Sequence, residues 1–227
     1  MGATAASKRR IVVLASGSGS NLQAIIDACA AGQINGAVAH VVSDRRDAGA
    51  LRRAATAGIA STHLGRREGE TRAEYDARLA DIVEAADADL VVLAGWMRIL
   101  TMGFLGRFAG RVVNLHPALP GELPGTDAIA RAWDQSRRGE RDSTGVMVHF
   151  VPDEGVDDGP VLGTADVPIH PDDTLDTLSE RVHATEHLLL VDVLADLCST
   201  RSAAIQAACN HSFAGAQSLA SERGPTP

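Results

Sequence analysis

Along its first half the chain alternates short apolar runs with amphipathic stretches. Ile11-Val-Val-Leu-Ala15 and Leu90-Val-Val-Leu-Ala94 are continuous apolar runs, the pattern of strands buried on both faces. After the first run Leu22, Ile25, Ile26 and Cys29 recur at i, i+3, i+4 and i+7, one face of a helix that Gly32 ends. Val38–Val42 predicts a second strand, Asp47–Ala57 an alanine-rich helix ending at Gly58, and Ile59–Leu64 a weak third strand. Tyr75, Leu79, Ile82, Val83 and Ala86 mark another helix, and a short helix over Thr101–Phe108 leads to a strand over Val112–Leu115. Strands alternating with helices predict an α/β fold, a Rossmann-like open sheet that is mostly parallel.

The second half is looser. Pro117–Gly125 holds three prolines and two glycines. A helix over Asp127–Arg137, a strand marked by Val146, Val148 and Phe150, and a strand over Val161–Ile169 follow. Asp173 is expected to cap a long helix over Thr174–Leu197. Residues 1–10 read as a flexible start, 11–198 as one domain with a loop-rich C-terminal half, and 199–227 as an irregular tail rich in Ser, Ala, Gly and Pro.

Composition narrows the function classes. The 227 residues are 45 % apolar and 22 % charged, as in a soluble globular protein. Aromatic residues make up 3 % and the net charge is −8, which argues against stacking on nucleic-acid bases or gripping a phosphate backbone. No apolar run approaches the ~18 residues of a membrane span. Three unclustered cysteines predict neither a disulfide framework nor a zinc–cysteine site. A cytoplasmic location is expected.

Three segments carry candidate chemistry. Ser16-Gly-Ser-Gly-Ser-Asn21 joins a strand to a helix, where glycines let the backbone approach a ligand and the helix N-terminus offers free N–H groups to an anion. The same composition also suits a plain strand-to-helix turn. A dinucleotide fingerprint would place Gly or Ala at Leu22, so a single phosphate fits better, although Asp44 stands where a ribose-binding acid would. Val112-Val-Asn-Leu-His-Pro117 puts Asn114 and His116 on one side of a strand end, an amide donor and an imidazole suited to acyl transfer. Taken alone, a strand-end histidine is more often a satisfied structural residue. Val156-Asp-Asp-Gly-Pro160 adds carboxylates able to orient that imidazole.

Taken together, Ile11–Asp27, Val91-Val-Leu-Ala-Gly-Trp-Met-Arg-Ile-Leu100, Val113-Asn-Leu-His-Pro117 and Gly145-Val-Met-Val-His-Phe-Val, followed by Val156–Pro160, resemble the phosphoribosylglycinamide formyltransferase family over about residues 10–197. The resemblance implies a formyltransferase-type fold, with a phosphate-binding half (11–110) and a catalytic and folate-binding half (111–198). It implies transfer of a formyl group from 10-formyltetrahydrofolate, the co-substrate, to the amine of glycinamide ribonucleotide in purine biosynthesis, with no metal. It matches Asn114, His116 and Asp157 to the catalytic trio. Gly19, Ser20, Asn21, Pro117 and Glu186 match substrate contacts, and Arg72, Met97, Arg98, Ile99 and Leu100 match folate contacts. The partners implied are these small molecules, with neither nucleic acid nor membrane, on a monomer or homodimer.

The Asp loop is one residue longer than the family pattern, so Asp157 and Asp158 are both candidate acids. Asp157 is chosen because D-x-G-P fits it and it stands 29 residues before Glu186. The loop after Pro117 also departs from the pattern, with Thr126-Asp127 where a histidine is often found.

Close relatives are rivals. Methionyl-tRNA formyltransferase carries an RNA-facing C-terminal domain for which the tail is too short. Formyltetrahydrofolate deformylase carries an N-terminal domain for which ten residues leave no room. A non-catalytic nucleotide-binding protein is the distant alternative. His183-Ala-Thr-Glu-His187 formally matches a helical zinc motif but lacks a third ligand, and His149 sits singly with no ligand spacing.

Overall fold

The computed structural model describes residues 8–199. Seven strands form one sheet: β1 (Arg9–Leu14), β2 (Gly36–Ser43), β3 (Ser61–His63), β4 (Leu90–Leu93), β5 (Val112–His116), β6 (Ser143–Phe150) and β7 (Val161–Pro168). Their order is β3-β2-β1-β4-β5-β6-β7. The first five strands run parallel, β6 pairs antiparallel with β5, and β7 pairs antiparallel with β6 and so runs in the direction of the first five. The helices are α1 (Ser20–Ala30), α2 (Gly49–Thr56), α3 (Arg72–Ala85), α4 (Met102–Leu105), α5 (Ala128–Arg137) and α6 (Leu175–Cys198).

Strand pleating sends alternate side chains into two layers. Ile11, Val13, Val92, Val113 and Val148 pack with Leu22 and Ile25 of α1, Ala50 and Ala54 of α2, and Leu178, Val182 and Leu190 of α6. Val12, Leu14, Val91 and Leu93 pack on the other face with Leu79 and Val83 of α3, and with Phe104 and Phe108. After β1 the chain enters α1 on one face, and after β4 it enters α4 on the other. The crevice between these two strand ends is where open α/β sheets hold ligands.

Several details differ from the sequence reading. The helix expected over Thr101–Phe108 is one turn of α-helix followed by a 3₁₀ turn, Gly106–Phe108. The cap of α6 is Thr174, in a reciprocal capping box with Thr177, not Asp173. Asp173 instead pairs with Arg181 at 2.7 Å and accepts from the His170 N–H at 2.7 Å. Arg181 and these hydrogen bonds hold its carboxyl far below the usual carboxylate range. The tail expected over 199–227 lies outside the described residues beyond Ser199.

The glycine turn owes its shape to close packing against α2. Gly19 stands at the N-cap of α1 with φ 75°, and a Cβ there would come within 2.6 Å of the Ala50 Cα. A Cβ on Gly49 would meet the Ser18 carbonyl oxygen at 2.4 Å. Arg53 Nε donates to that carbonyl at 3.0 Å, and the Ala50 N–H donates to Gly17 O at 3.3 Å. Gly49→Ala therefore pushes α2 off the turn and should cost about 1–3 kcal/mol. Urea denaturation of the purified variant checks this, and an unchanged midpoint would show that the turn yields freely.

Candidate active site

A cavity of about 730 Å³ opens at the carboxyl ends of β1, β4 and β5. One end is walled by Ser16–Asn21, Arg45, His183 and Glu186, the other by Leu93–Leu100, and the floor by Asn114–Pro117, His149 and the loop bearing Asp157.

At the first end α1 begins without a side-chain cap and without an acid in its first turn. Its leading N–H groups are thus free for an anion. Ser16 Oγ accepts from the Met97 N–H at 3.1 Å, tying the ends of β1 and β4 together. Asn21 Nδ2 donates to Glu186 Oε2 at 3.1 Å, and His183 Nδ1 meets the same oxygen at 2.8 Å. Glu186 is only 4 % exposed, so both bonds offset the cost of burying its charge. Glu186 raises the pKa of half-exposed His183, and burial opposes it. The stabilisation from this pair is complete below about pH 6.5 and fades as pH rises through the higher folded value. In Glu186→Gln the His183 ring should titrate at lower pH than in the parent protein. Ring-proton NMR across pH 5–9 measures this, and coincident curves would refute the coupling.

On the floor, β5 points Asn114 and His116 toward one face while Val113 and Leu115 join the opposite core layer. His116 is 3 % exposed and each ring nitrogen faces an oxygen. Nδ1 lies 3.2 Å from Asp157 Oδ2, and Nε2 lies 3.1 Å from the Leu123 carbonyl. Asp157 Oδ2 also accepts from the Gly125 N–H at 2.8 Å, and Oδ1 accepts from Asn114 Nδ2 at 2.9 Å. Burial alone would raise the Asp157 carboxyl pKa. His149 when protonated, the Gly125 N–H and the charge of His116 outweigh it and hold the carboxyl below its ordinary value. It is the Asp157 carboxylate that touches His116, while the Asp158 carboxylate packs over Gly155.

His149 stands singly in the sequence, and antiparallel pairing sets it directly opposite Asn114. It is 2 % exposed. Its Nδ1 lies 2.8 Å from the Phe150 carbonyl, which can only accept, so Nδ1 carries the proton. In the neutral ring Nε2 then accepts from Asn114 Nδ2 at 3.1 Å. Both amide hydrogens of Asn114 are therefore engaged. A signal was present in the alternation of β6, which turns Val148 and Phe150 to the core and His149 to the opposite face.

The matched folate segment lines the other end. Met97 is 55 % and Ile99 46 % exposed, while Trp96 and Leu100 are buried. Arg98 lines the cavity with its guanidinium already held: Nε donates to Asp44 Oδ2 at 2.9 Å and the group lies 4.8 Å over the Tyr75 ring. This also removes Asp44 as a free ribose-binding acid. Arg72, in the first turn of α3, is not among the lining residues; it pairs with Glu154 at the rim. Among the described residues no group of three or more His, Cys, Asp or Glu is arranged to hold a metal, and no helix is long and apolar enough to cross a membrane.

The formyl transferase family model matches residues 9–194. The chain is 43 % identical over 198 residues to the phosphoribosylglycinamide formyltransferase of Schizosaccharomyces pombe, covering 81 % of this chain and 94 % of that protein. It is 44 % identical over 179 residues to the phosphoribosylglycinamide formyltransferase of Escherichia coli, covering 79 % and 82 % respectively. The crystal structure of glycinamide ribonucleotide transformylase 1 from Symbiobacterium toebii superposes with a TM-score of 0.80 at 40 % identity, covering 86 % of this chain and 89 % of that one.

Proposed function

The chain belongs to the formyl transferase family, and from that premise we propose that it moves the formyl group of 10-formyltetrahydrofolate to the amine of 5'-phosphoribosylglycinamide. The observation that carries this reading is one cavity with an uncapped helix N-terminus at one end, an apolar wall at the other, and the His116–Asp157–Asn114 cluster between them. A phosphate, a transferable acyl carbon and a planar ring system need that order of environments.

In this reading Gly19, Ser20 and Asn21 hold the phosphate through backbone N–H groups, with Glu186 and Pro117 beside the ribose and glycinamide. Met97, Ile99 and Leu100 flank the folate ring, and Arg98 contributes through its backbone, because its guanidinium is spent on Asp44. Residues 11–110 thus supply both the phosphate turn and the folate-ring segment, and 111–198 supply the His116 cluster and Glu186, so folate binding does not divide between the halves as the resemblance implies.

The amine attacks the formyl carbon, the new C–N bond forms, and negative charge develops on the formyl oxygen. His116 donates to that oxygen through Nε2, which requires the Leu123 carbonyl to move aside. Asn114 gives up its 3.1 Å bond to His149, the longer of its two, to donate a second hydrogen bond. Asp157 keeps the His116 ring oriented and takes part in relaying the amine proton toward the folate nitrogen as the old C–N bond breaks.

The test mixes purified protein with phosphoribosylglycinamide and 10-formyltetrahydrofolate and follows tetrahydrofolate release. Release that depends on the amine supports transfer. Release without the ribonucleotide would instead identify a deformylase, and no release with both substrates would refute the proposal.

A further inference from the structure

Residues 151–160 cross from β6 to β7 and carry Asp157. We propose that Glu154 is a positioning residue that anchors this loop so that Asp157 is held against His116; the inference rests on reading Asp157 as the acid of formyl transfer. The loop is pinched at its neck. The Phe150 N–H donates to Pro160 O at 2.9 Å, and a Cβ on Gly159 would lie 1.9 Å from the Phe150 oxygen. The neck closes the loop, but it leaves residues 152–158 to find their own conformation.

That conformation is a demanding one. Asp157 has φ 56°, in the left-handed region that side chains occupy when the surroundings impose it. Its carboxylate must at the same time meet the amide of Asn114, the N–H of Gly125 and the ring of His116. Within the loop, the Gly155 N–H donates to Asp153 Oδ1 at 2.8 Å, which shapes a turn without fixing it to the body. Glu154 supplies the outward tie. Its Oε1 accepts from the Met102 N–H at 3.0 Å, and its other oxygen pairs with Arg72. One carboxylate thereby joins the acid-bearing loop to the starts of α3 and α4, on the layer opposite α6. Met102 gains an acceptor for an N–H that the helix itself leaves unpaired.

The anchor predicts a particular pattern of losses. Glu154→Ala should lower kcat about ten-fold, in line with the cost of a small misplacement of a reacting group. The KM for the ribonucleotide should stay within about two-fold, because the phosphate end of the cavity is untouched. Glu154→Gln should recover most of kcat, since its amide oxygen still accepts from Met102. Glu154→Ala combined with Asp157→Asn should fall no further than Asp157→Asn alone, as expected of residues acting in series. Multiplying losses would overturn the proposal.

A second readout needs no turnover. The Gly125 N–H reports the Asp157 contact directly, so its hydrogen exchange should speed up about ten-fold in Glu154→Ala while amides of β5 and β6 stay unchanged. Unchanged exchange at Gly125 overturns the anchor even if the protein transfers formyl groups. Faster exchange in a protein that fails to transfer formyl groups leaves the anchor standing and refutes only the proposed activity.

Discussion

Replacing His116 by alanine should lower kcat for formyl transfer by about 10²–10⁴, the range for losing a positioned proton donor that also stabilises an oxyanion. The loss should fall on kcat and kcat/KM alike, because the imidazole lies on the cavity floor, away from the phosphate end and the exposed Met97 and Ile99. Truncation also leaves Asp157 without one of its three donors and empties a nearly enclosed site. Some destabilisation is therefore expected as well, and circular dichroism with urea denaturation separates it from the catalytic loss. Steady-state kinetics that kept kcat within five-fold of the parent would remove His116 from the chemistry.

Asp157→Asn should be nearly as damaging, at about 10²–10³ in kcat. The substitution keeps the shape and removes one acceptor. Whichever way the new amide turns, its NH₂ meets a donor: Asn114 Nδ2 on one side, or the Gly125 N–H and His116 on the other. Asp158→Asn changes a carboxylate that packs over Gly155, and should leave kcat within about three-fold. The reverse ranking would shift the acid by one residue. The pH dependence adds a check. The folded carboxyl of Asp157 is depressed below its ordinary value, so its stabilisation is present above about pH 4 and is lost as pH falls through the folded value. The stability gap between parent and Asp157→Asn should therefore be widest near neutrality and narrow on acidification, as urea titrations at successive pH values would show.

Much of the architecture could be read from local pattern. Continuous apolar runs at Ile11–Ala15 and Leu90–Ala94 are central strands because helices cover both faces of the sheet. The turn at Ser16–Asn21 and the Asn114–His116 pair were visible because strand-end position and alternation decide where they point. What stayed hidden depends on pairing between distant segments. His149 enters the site only because β6 runs antiparallel to β5, with all of α5 between them in sequence. The neutralisation of Arg98 by Asp44 and of Arg72 by Glu154 joins residues more than fifty positions apart, and no local spacing encodes it. The exchange of roles between Asp173 and Thr174 is smaller: both residue types cap helices, and the demand of Arg181 for a carboxylate decided between them.

The bond between Asn21 and Glu186 spans 165 residues of chain and joins α1 to α6. A polypeptide emerging from the ribosome presents its glycine turn long before the residue that steadies it exists. Until α6 is released, the sides of α1, β6 and β7 that face it lack their cover, and the nascent chain exposes apolar surface there. The proposed phosphate pocket can thus be completed only once α6 is available, at the cost of closing a very long loop. A chain that stalled before Thr174 would carry every residue of the His116 cluster and still lack the Glu186 end of the proposed substrate site.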